Sequence, residues 1–396
     1  MKVGRKRAML DADTALRILE KFELSPKVEE VPLSEALGRI LPQRVNARVD
    51  SPPFSKAAMD GFALRSEDTA EHYQIVETIA AGDVPRKTIA PGQCSKIMTG
   101  AMMPEGADKI VRVEFTREAE GRVTVVEPEP YANIIYRGEN LKQGDPLLQP
   151  KVLTPQDIGV LASQGFASVP VSVAPLVGIL TTGSELRSAG EQLEAGQIYN
   201  SNGPQLCAQV EAMKVKSRYY GVVSDDPQKL ADMVECALGD CDVLLLSGGV
   251  SMGDLDFVPD VLKRLGAKVV FHKLAVKPGK PTLFAEKKGS YVFGLPGNPV
   301  STFIIFEVFV KTFLYRWMGF SYKTRTLSGT LAEPIKRRDG ERLEYRPVRL
   351  EGRRIYPLSY HGSSHLSALR EAEGLIRIEI GTTSLEQGGE LDVRLL

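Results

Sequence analysis

The chain has 396 residues, more than one compact core accommodates, so roughly two to four domains are expected. Lys plus Arg and Asp plus Glu each number 50, and the zero formal charge argues against a general nucleic-acid binder, though not against a local basic pocket. No apolar run reaches the roughly 18 residues of a membrane span, so no membrane partner is expected.

The N-terminal segment MKVGRKRAMLDADTAL is basic but lacks an apolar stretch, and Asp11 and Asp13 interrupt it. No signal peptide is expected, and the chain reads as cytoplasmic. Residues 12–22 carry helical periodicity, with Ala15, Leu16, Ile18 and Leu19 on one side. Ser34 is placed to cap a short helical turn that Gly38 ends. From Val45 to about Asp145, strand-like pieces alternate with the turns AGDVP, APGQ, MPEGA and KQGDP, which predicts a β-rich domain. TPQDIGVLASQGF, residues 154–166, returns to a helix with Pro155 in its first turn and Gly165 near its end. Its likeness to the N-terminal helical segment suggests that the two pack together and that the β-rich block is inserted between halves of a linker domain.

From Pro175 the pattern is βαβ. PLVGILTTG, KSRYYGVV, DVLLLSGG, KVVFHKLAV and YVFGLP read as strands. NGPQLCAQVEAM, DPQKLADMVECAL, FVPDVLKRL and the long NPVSTFIIFEVFVKTFLYRW read as helices. Continuous apolar strands between helices predict a parallel sheet covered on both faces, with ligands at the carboxyl ends of the strands. After Tyr322, EYRPVRL, RRIYPL and EQGGELDVRLL predict a small final β domain.

Glycine-rich segments fall at those strand ends. SGGVSMGDLDF places Ser247, Gly248, Gly249 and Ser251 before Asp254 and Asp256. KPGKP holds Lys277 and Lys280 in a proline-stiffened loop, and GLPGNPVS (Pro296, Gly297, Asn298, Pro299) opens the long helix with free N–H groups. The pattern suits a phosphorylated ligand. TTGSEL supplies Glu185, and SDDP supplies Asp225 and Asp226, one of which also fits a helix cap. Convergence of Glu185, Asp225 and Asp256 requires a cation between them, and magnesium fits. The four cysteines form no C-x-x-C pair and read as idle thiols; the four histidines form no cluster, and His361 and His365 in HGSSH read as a loop, so zinc is not expected.

PPF-x-x-x-AMDGFA, MTGA-x-x-P-x-GAD, TTGSEL, SGGVSMGDLDF, KPGKP and GLPGNPVS stand in this order over most of the chain. Together they resemble the MoeA family of molybdopterin molybdenumtransferases, also found as the E domain of gephyrin. The resemblance implies four parts: a linker domain (1–45 plus 146–174), a β-rich inserted domain (46–145), a three-layer α/β/α molybdopterin-binding domain (175–322) and a C-terminal small β-barrel (323–396). It implies insertion of molybdate into adenylylated molybdopterin with magnesium-dependent release of AMP, and an upstream molybdopterin adenylyltransferase. It also implies a homodimer whose active site is shared between the sheet domain of one subunit and the insertion of the other. By motif, Asp60 and Thr99 in the insertion match family site positions, as do Glu185, Asp225, Asp256, Lys277, Lys280, Pro296 and Pro299 in the sheet domain and Ser364 in the last.

One segment departs from the family pattern. N-I-R-x-x-G-E-D is replaced by NIIYRGEN, with Ile135 at an arginine position and Asn140 at an acidic one. Asn140 hydrogen-bonds but brings no charge. The change leaves open a binding or scaffold paralogue without turnover, or a tungstate-preferring variant. A hydrolase of free dinucleotides sharing the sheet domain is a further alternative, which the AMDGFA block opposes.

Overall fold

The computed structural model describes residues 9–250, 257–359, 362 and 364–396. The chain forms two compact units, one comprising Pro32–Leu37 and Gln43–Val169, the other the N-terminal residues through Val31, Gly38–Pro42 and Pro170–Leu396.

The unit containing Gln43–Val169 is built on a six-stranded sheet in the order Lys109–Arg112, Gly61–Leu64, Gln93–Ile97, Tyr73–Ile79, Arg122–Val125, Thr116–Ala119. Gly61–Leu64 is buried at all four positions. Its side chains alternate between two cores: Ala63 joins Ile79, Ile97 and Ile110, whereas Phe62 and Leu64 join Tyr73, Val111 and Val123. A Cβ on Gly61 would sit 2.1 Å from the Val111 carbonyl oxygen, so only glycine fits between the paired strands. Helix Pro155–Ser163 closes this unit's sequence span with a capping box between Thr154 and Asp157 and Pro155 at its start, as its sequence predicts.

In the other unit, helix Ala12–Lys21 is followed by Phe22, whose ring meets Phe284 and Tyr291 edge-on at centroid distances of 5.5 and 5.3 Å. The two segments read as similar from sequence therefore belong to different compact units. The central sheet has the order Lys216–Val223, Leu176–Thr182, Val243–Ser247, Ser290–Leu295, Leu283–Lys287, Lys268–His272. The first four strands are parallel. Leu283–Lys287 is antiparallel to both neighbours, so the sheet is mixed rather than wholly parallel. The cause is a two-residue hairpin: Lys288 and Gly289 both take positive φ (50° and 88°), the backbone of the tight turn that matches strand twist. Helices Pro227–Asp240 and Val258–Arg264 place Leu230, Val234, Val258 and Leu262 in the core cluster with Leu180, Leu244, Leu246 and Val292 of the sheet. Phe313 of the long helix packs against Phe284 and Phe293. That helix runs from Pro299 to Trp317 through a π turn at Phe306–Val310. The turn buries Glu307, whose carboxylate accepts from Gln209 Nε2 and Lys311 Nζ, both at 2.8 Å.

After Lys323, strands Leu343–Glu351, Arg354–Pro357, Thr326–Leu331, Glu390–Leu395 and Gly374–Ile378 follow one another, and the last pairs back to the first, closing a five-stranded barrel. Leu331, Val348, Ile355, Ile376 and Val393 fill it. The short strand Val276–Lys277 adds to this barrel sheet beside Leu343–Glu344.

Candidate functional site

The carboxyl ends of Leu176–Thr182, Val243–Ser247 and Ser290–Leu295 open on a cleft of about 850 Å³. Thr182, Glu185, Ser247, Lys277, Lys280, Pro296, Gly297, Asn298, Pro299 and Ser364 all line it. Residues more than 180 positions apart thus meet at one mouth of the sheet, where an open α/β fold binds its ligands.

Glycines make the close approach here. Gly248 has φ +99°, and a Cβ on it would lie 2.3 Å from the Thr182 carbonyl oxygen. A Cβ on Gly297 would meet the Gly248 Cα at 3.8 Å, so the two glycine turns face each other. Ser247 is 1 % exposed and its hydroxyl is used within the floor, donating to the Pro296 carbonyl at 3.2 Å and accepting from Asn202 Nδ2 at 2.8 Å. Asn202 also donates to the Gly297 carbonyl at 2.7 Å and so ties both turns together. Pro299 starts the long helix, placing its N-terminal end at the cleft.

Of the acidic residues, Glu185 stands on the turn after Thr182, and Asp225 reaches that turn from the loop after Lys216–Val223. Asp225 accepts from Thr182 Oγ1 at 2.9 Å and from Ser184 N–H at 3.1 Å. The Glu185 carboxylate folds back over Gly183, occupying the space a Cβ would take, at 2.7 Å. Asp226, not Asp225, caps the next helix, accepting from the Gln228 and Lys229 N–H groups at 2.8 and 2.9 Å. These bonds, that to Lys229 foremost, hold its carboxyl below the usual range. Asp254, Asp256 and Ser251 lie outside the described residues. Among the described residues no three His, Cys, Asp or Glu side chains group as metal ligands. Glu185 lines the cleft whereas Asp225, on the loop after Lys216–Val223, is not among its lining residues and reaches only Thr182 and Ser184; both offer oxygen donors, the kind a hard cation such as magnesium takes.

The loop carrying Lys277 and Lys280 is fixed at both ends. Leu274 N–H donates to the Lys280 carbonyl at 2.9 Å, and Thr282 Oγ1 donates to the Gly279 carbonyl at 2.7 Å. Gly279, at φ +117°, packs so closely that a Cβ would meet Ile305 Cδ1 at 2.4 Å. Beside Ser364 the barrel adds a cation absent from the sequence-derived set: Arg342 lines the cleft, its NH1 donating to the Val276 carbonyl at 3.4 Å. No local motif marks it in the sequence: Arg342 immediately precedes the strand Leu343–Glu351, and only the pairing of that strand with Val276–Lys277 brings it to the cleft.

In the other unit, Asp60 Oδ1 accepts from both the N–H and the hydroxyl of Thr99, each at 2.6 Å. The Thr99 hydroxyl bond, then the N–H bond, holds the Asp60 carboxyl below the usual carboxylate range. In NIIYRGEN, Ile135 forms a short strand opposite Lys56, Arg137 Nε donates to Asp50 Oδ2 at 2.6 Å, and the Asn140 side chain is exposed. Cys94 and Cys241 are buried, and burial pushes their thiols up to about 12 and about 11; Cys236 is exposed.

Three family models cover the chain: the MoeA N-terminal region (domains I and II) over residues 10–165, the probable molybdopterin binding domain over 178–316 and the MoeA C-terminal region (domain IV) over 328–396. Molybdopterin molybdenumtransferases of Staphylococcus epidermidis and Bacillus subtilis are each 34 % identical, covering 98 % and 99 % of this chain and 96 % and 95 % of their own. A crystal structure of a molybdopterin biosynthesis MoeA protein from Pyrococcus horikoshii superposes with a TM-score of 0.85 at 31 % identity, covering 98 % of this chain and 99 % of that one.

Proposed function

The chain belongs to the MoeA family, transferases of molybdenum cofactor biosynthesis, and from that premise we propose that its cleft inserts molybdate into adenylylated molybdopterin with magnesium-dependent release of AMP. The observation that carries this reading is the meeting of Lys277, Lys280 and Arg342 with Glu185 and the two glycine turns in one cleft. Molybdate and the pterin phosphate are both multiply charged anions. One cation about 4 Å from a unit negative charge supplies on the order of 4 kcal/mol at an effective dielectric near 20, so two such anions in one cleft call for several fixed cations. Lys277, Lys280 and Arg342 fill that role, and the helix end at Pro299 adds its dipole.

Glu185 and Asp225 would hold magnesium, which supplies Lewis-acid polarisation of a phosphoryl oxygen when bound. Without a cation there, Glu185 would repel the same anions that the lysines attract. The Pro296–Pro299 turn and Gly248 leave room for the ligand to approach backbone, and Asn202 keeps both turns in register. Thiolates for the metal come from the pterin, in keeping with a cleft lining that, among the described residues, contains no cysteine. Asp60 and Thr99 form the second half of the site, supplied in this reading by the partner of a homodimer. An upstream molybdopterin adenylyltransferase provides the substrate, and the four-part domain division and a cytoplasmic location complete the proposal.

Incubation with adenylylated molybdopterin, molybdate and Mg²⁺, followed by chromatography of released AMP, tests it. Molybdate-dependent AMP release is expected. No release would leave a binding or scaffold protein, the alternative that Asn140 motivates. Activity supported by tungstate in preference to molybdate would identify the tungstate variant, and cleavage of a free dinucleotide without pterin would indicate a hydrolase.

A further inference from the structure

Directly behind the cleft wall lies a buried carboxylate that the reading above does not use. Glu344 is 0 % exposed. Its Oε1 receives Arg346 through Nε and NH2, both at 2.8 Å. Arg337, with its side chain 1 % exposed, brings Nε to 2.9 Å of Oε2, out of hydrogen-bond alignment. Oε2 therefore keeps acceptor capacity, and the Lys277 ammonium stands 3.8 Å from it. Arg337 is itself committed to the backbone, donating to the carbonyls of Glu379, Thr382 and Arg342. It cannot turn to satisfy Oε2 without abandoning them.

The backbone builds the same contact. Val276–Lys277 runs parallel to Leu343–Glu344, with Lys277 registered opposite Glu344, and Leu343 N–H donates to the Ala275 carbonyl at 3.0 Å. Arg342 immediately precedes this strand and Glu344 is its second residue, so the segment brings a cation to the cleft and a carboxylate beneath the neighbouring lysine. Lys277 has a four-carbon stem and much rotamer freedom to lose. A fixed, buried counter-ion is what confines it.

We propose that Glu344 is a positioning residue for the oxyanion site: its buried carboxylate holds the Lys277 ammonium against the cleft wall. The proposal rests on the cleft reading given above. One carboxylate facing Arg337, Arg346 and Lys277 leaves a surplus of positive charge beside the cleft, so Glu344 orders the lysine without cancelling its attraction for an anion.

The test is competitive acylation of the intact protein with acetic anhydride, read as the rate at Lys277 relative to Lys280 by peptide mass spectrometry, alongside calorimetric titration with sodium molybdate. In Glu344→Gln, Lys277 is expected to react at least threefold faster relative to Lys280, and molybdate affinity to fall about tenfold. Arg346→Met disturbs the same cluster without removing the carboxylate and is expected to change either reading less than twofold. If Glu344→Gln does not fold, Glu344→Asp keeps a negative charge in the cluster but draws it back by one methylene, away from an ammonium already at 3.8 Å, and the same rise at Lys277 is expected. Unchanged Lys277 reactivity in the folded variant, or an equal rise in Arg346→Met, would overturn the proposal. Absence of molybdate binding by the unaltered protein overturns the cleft reading instead, while the acylation rates still decide the contact.

Discussion

At the scale of single residues, similar side chains divide their labour by what they touch. Asp225 and Asp226 are adjacent, yet one turns back to the Thr182–Ser184 turn and the other caps a helix. Asp226→Ala is therefore expected to lower Tm while leaving AMP release intact, whereas Asp225→Asn should leave Tm nearly unchanged and reduce release; the reverse assignment would refute this division. Lys280 is exposed and its side chain supports no core, so Lys280→Ala should cut AMP release by roughly 10²-fold or more with little change in Tm. The Asp60–Thr99 contact predicts a pH dependence. Because the folded carboxyl is held low, its stabilising effect is present above the unfolded value of about 3.9 and is lost only as pH falls through the lowered folded value. Carboxyl NMR should place the Asp60 midpoint below 3.8, rising in Thr99→Val; an identical midpoint in both would contradict the contact. Most of these positions were legible in the sequence because each stands in a short glycine- or proline-rich motif. Arg342 and Glu344 were not, since their meaning depends on which strand lies beside them.

Among the elements, the glycine turns separate packing from ligand approach. Gly248→Ala forces a Cβ against the Thr182 carbonyl at positive φ and should destabilise by on the order of 1–3 kcal/mol. Gly297→Ala meets only ordinary contact at 3.8 Å, so it should fold with near-normal Tm yet bind the ligand more weakly. Equal losses of stability in the two variants, measured by urea unfolding, would show that the turns are not arranged as described. The alternation of apolar strands and helices in the sheet domain was readable from residue 175 onward because fully buried strands are continuous apolar runs. Leu283–Lys287 escaped that reading and reversed direction, because Lys288-Gly289 makes a two-residue hairpin without the usual Asn-Gly signal. Local pattern showed the barrel only as scattered strands, and it was the family resemblance that implied a barrel, which the structure contains. Its closure depends on pairing Leu343–Glu351 with Gly374–Ile378, a long-range register that local pattern does not encode.

For the whole molecule, the proposal that the site is shared between subunits makes a quantitative prediction. Asp60→Asn and Glu185→Gln chains should each be nearly inactive alone. After subunit exchange in an equal mixture, half of the dimers are mixed and each has one intact site, so AMP release should recover to about a quarter of the unaltered protein's. No recovery would mean that one chain supplies both halves. The most direct measurement is a crystal soaked with AMP, Mg²⁺ and molybdate, with molybdenum located by its anomalous scattering. A peak inside the cleft among Lys277, Lys280 and Arg342 is the expected result; molybdenum bound only elsewhere, with this cleft empty, would contradict the account.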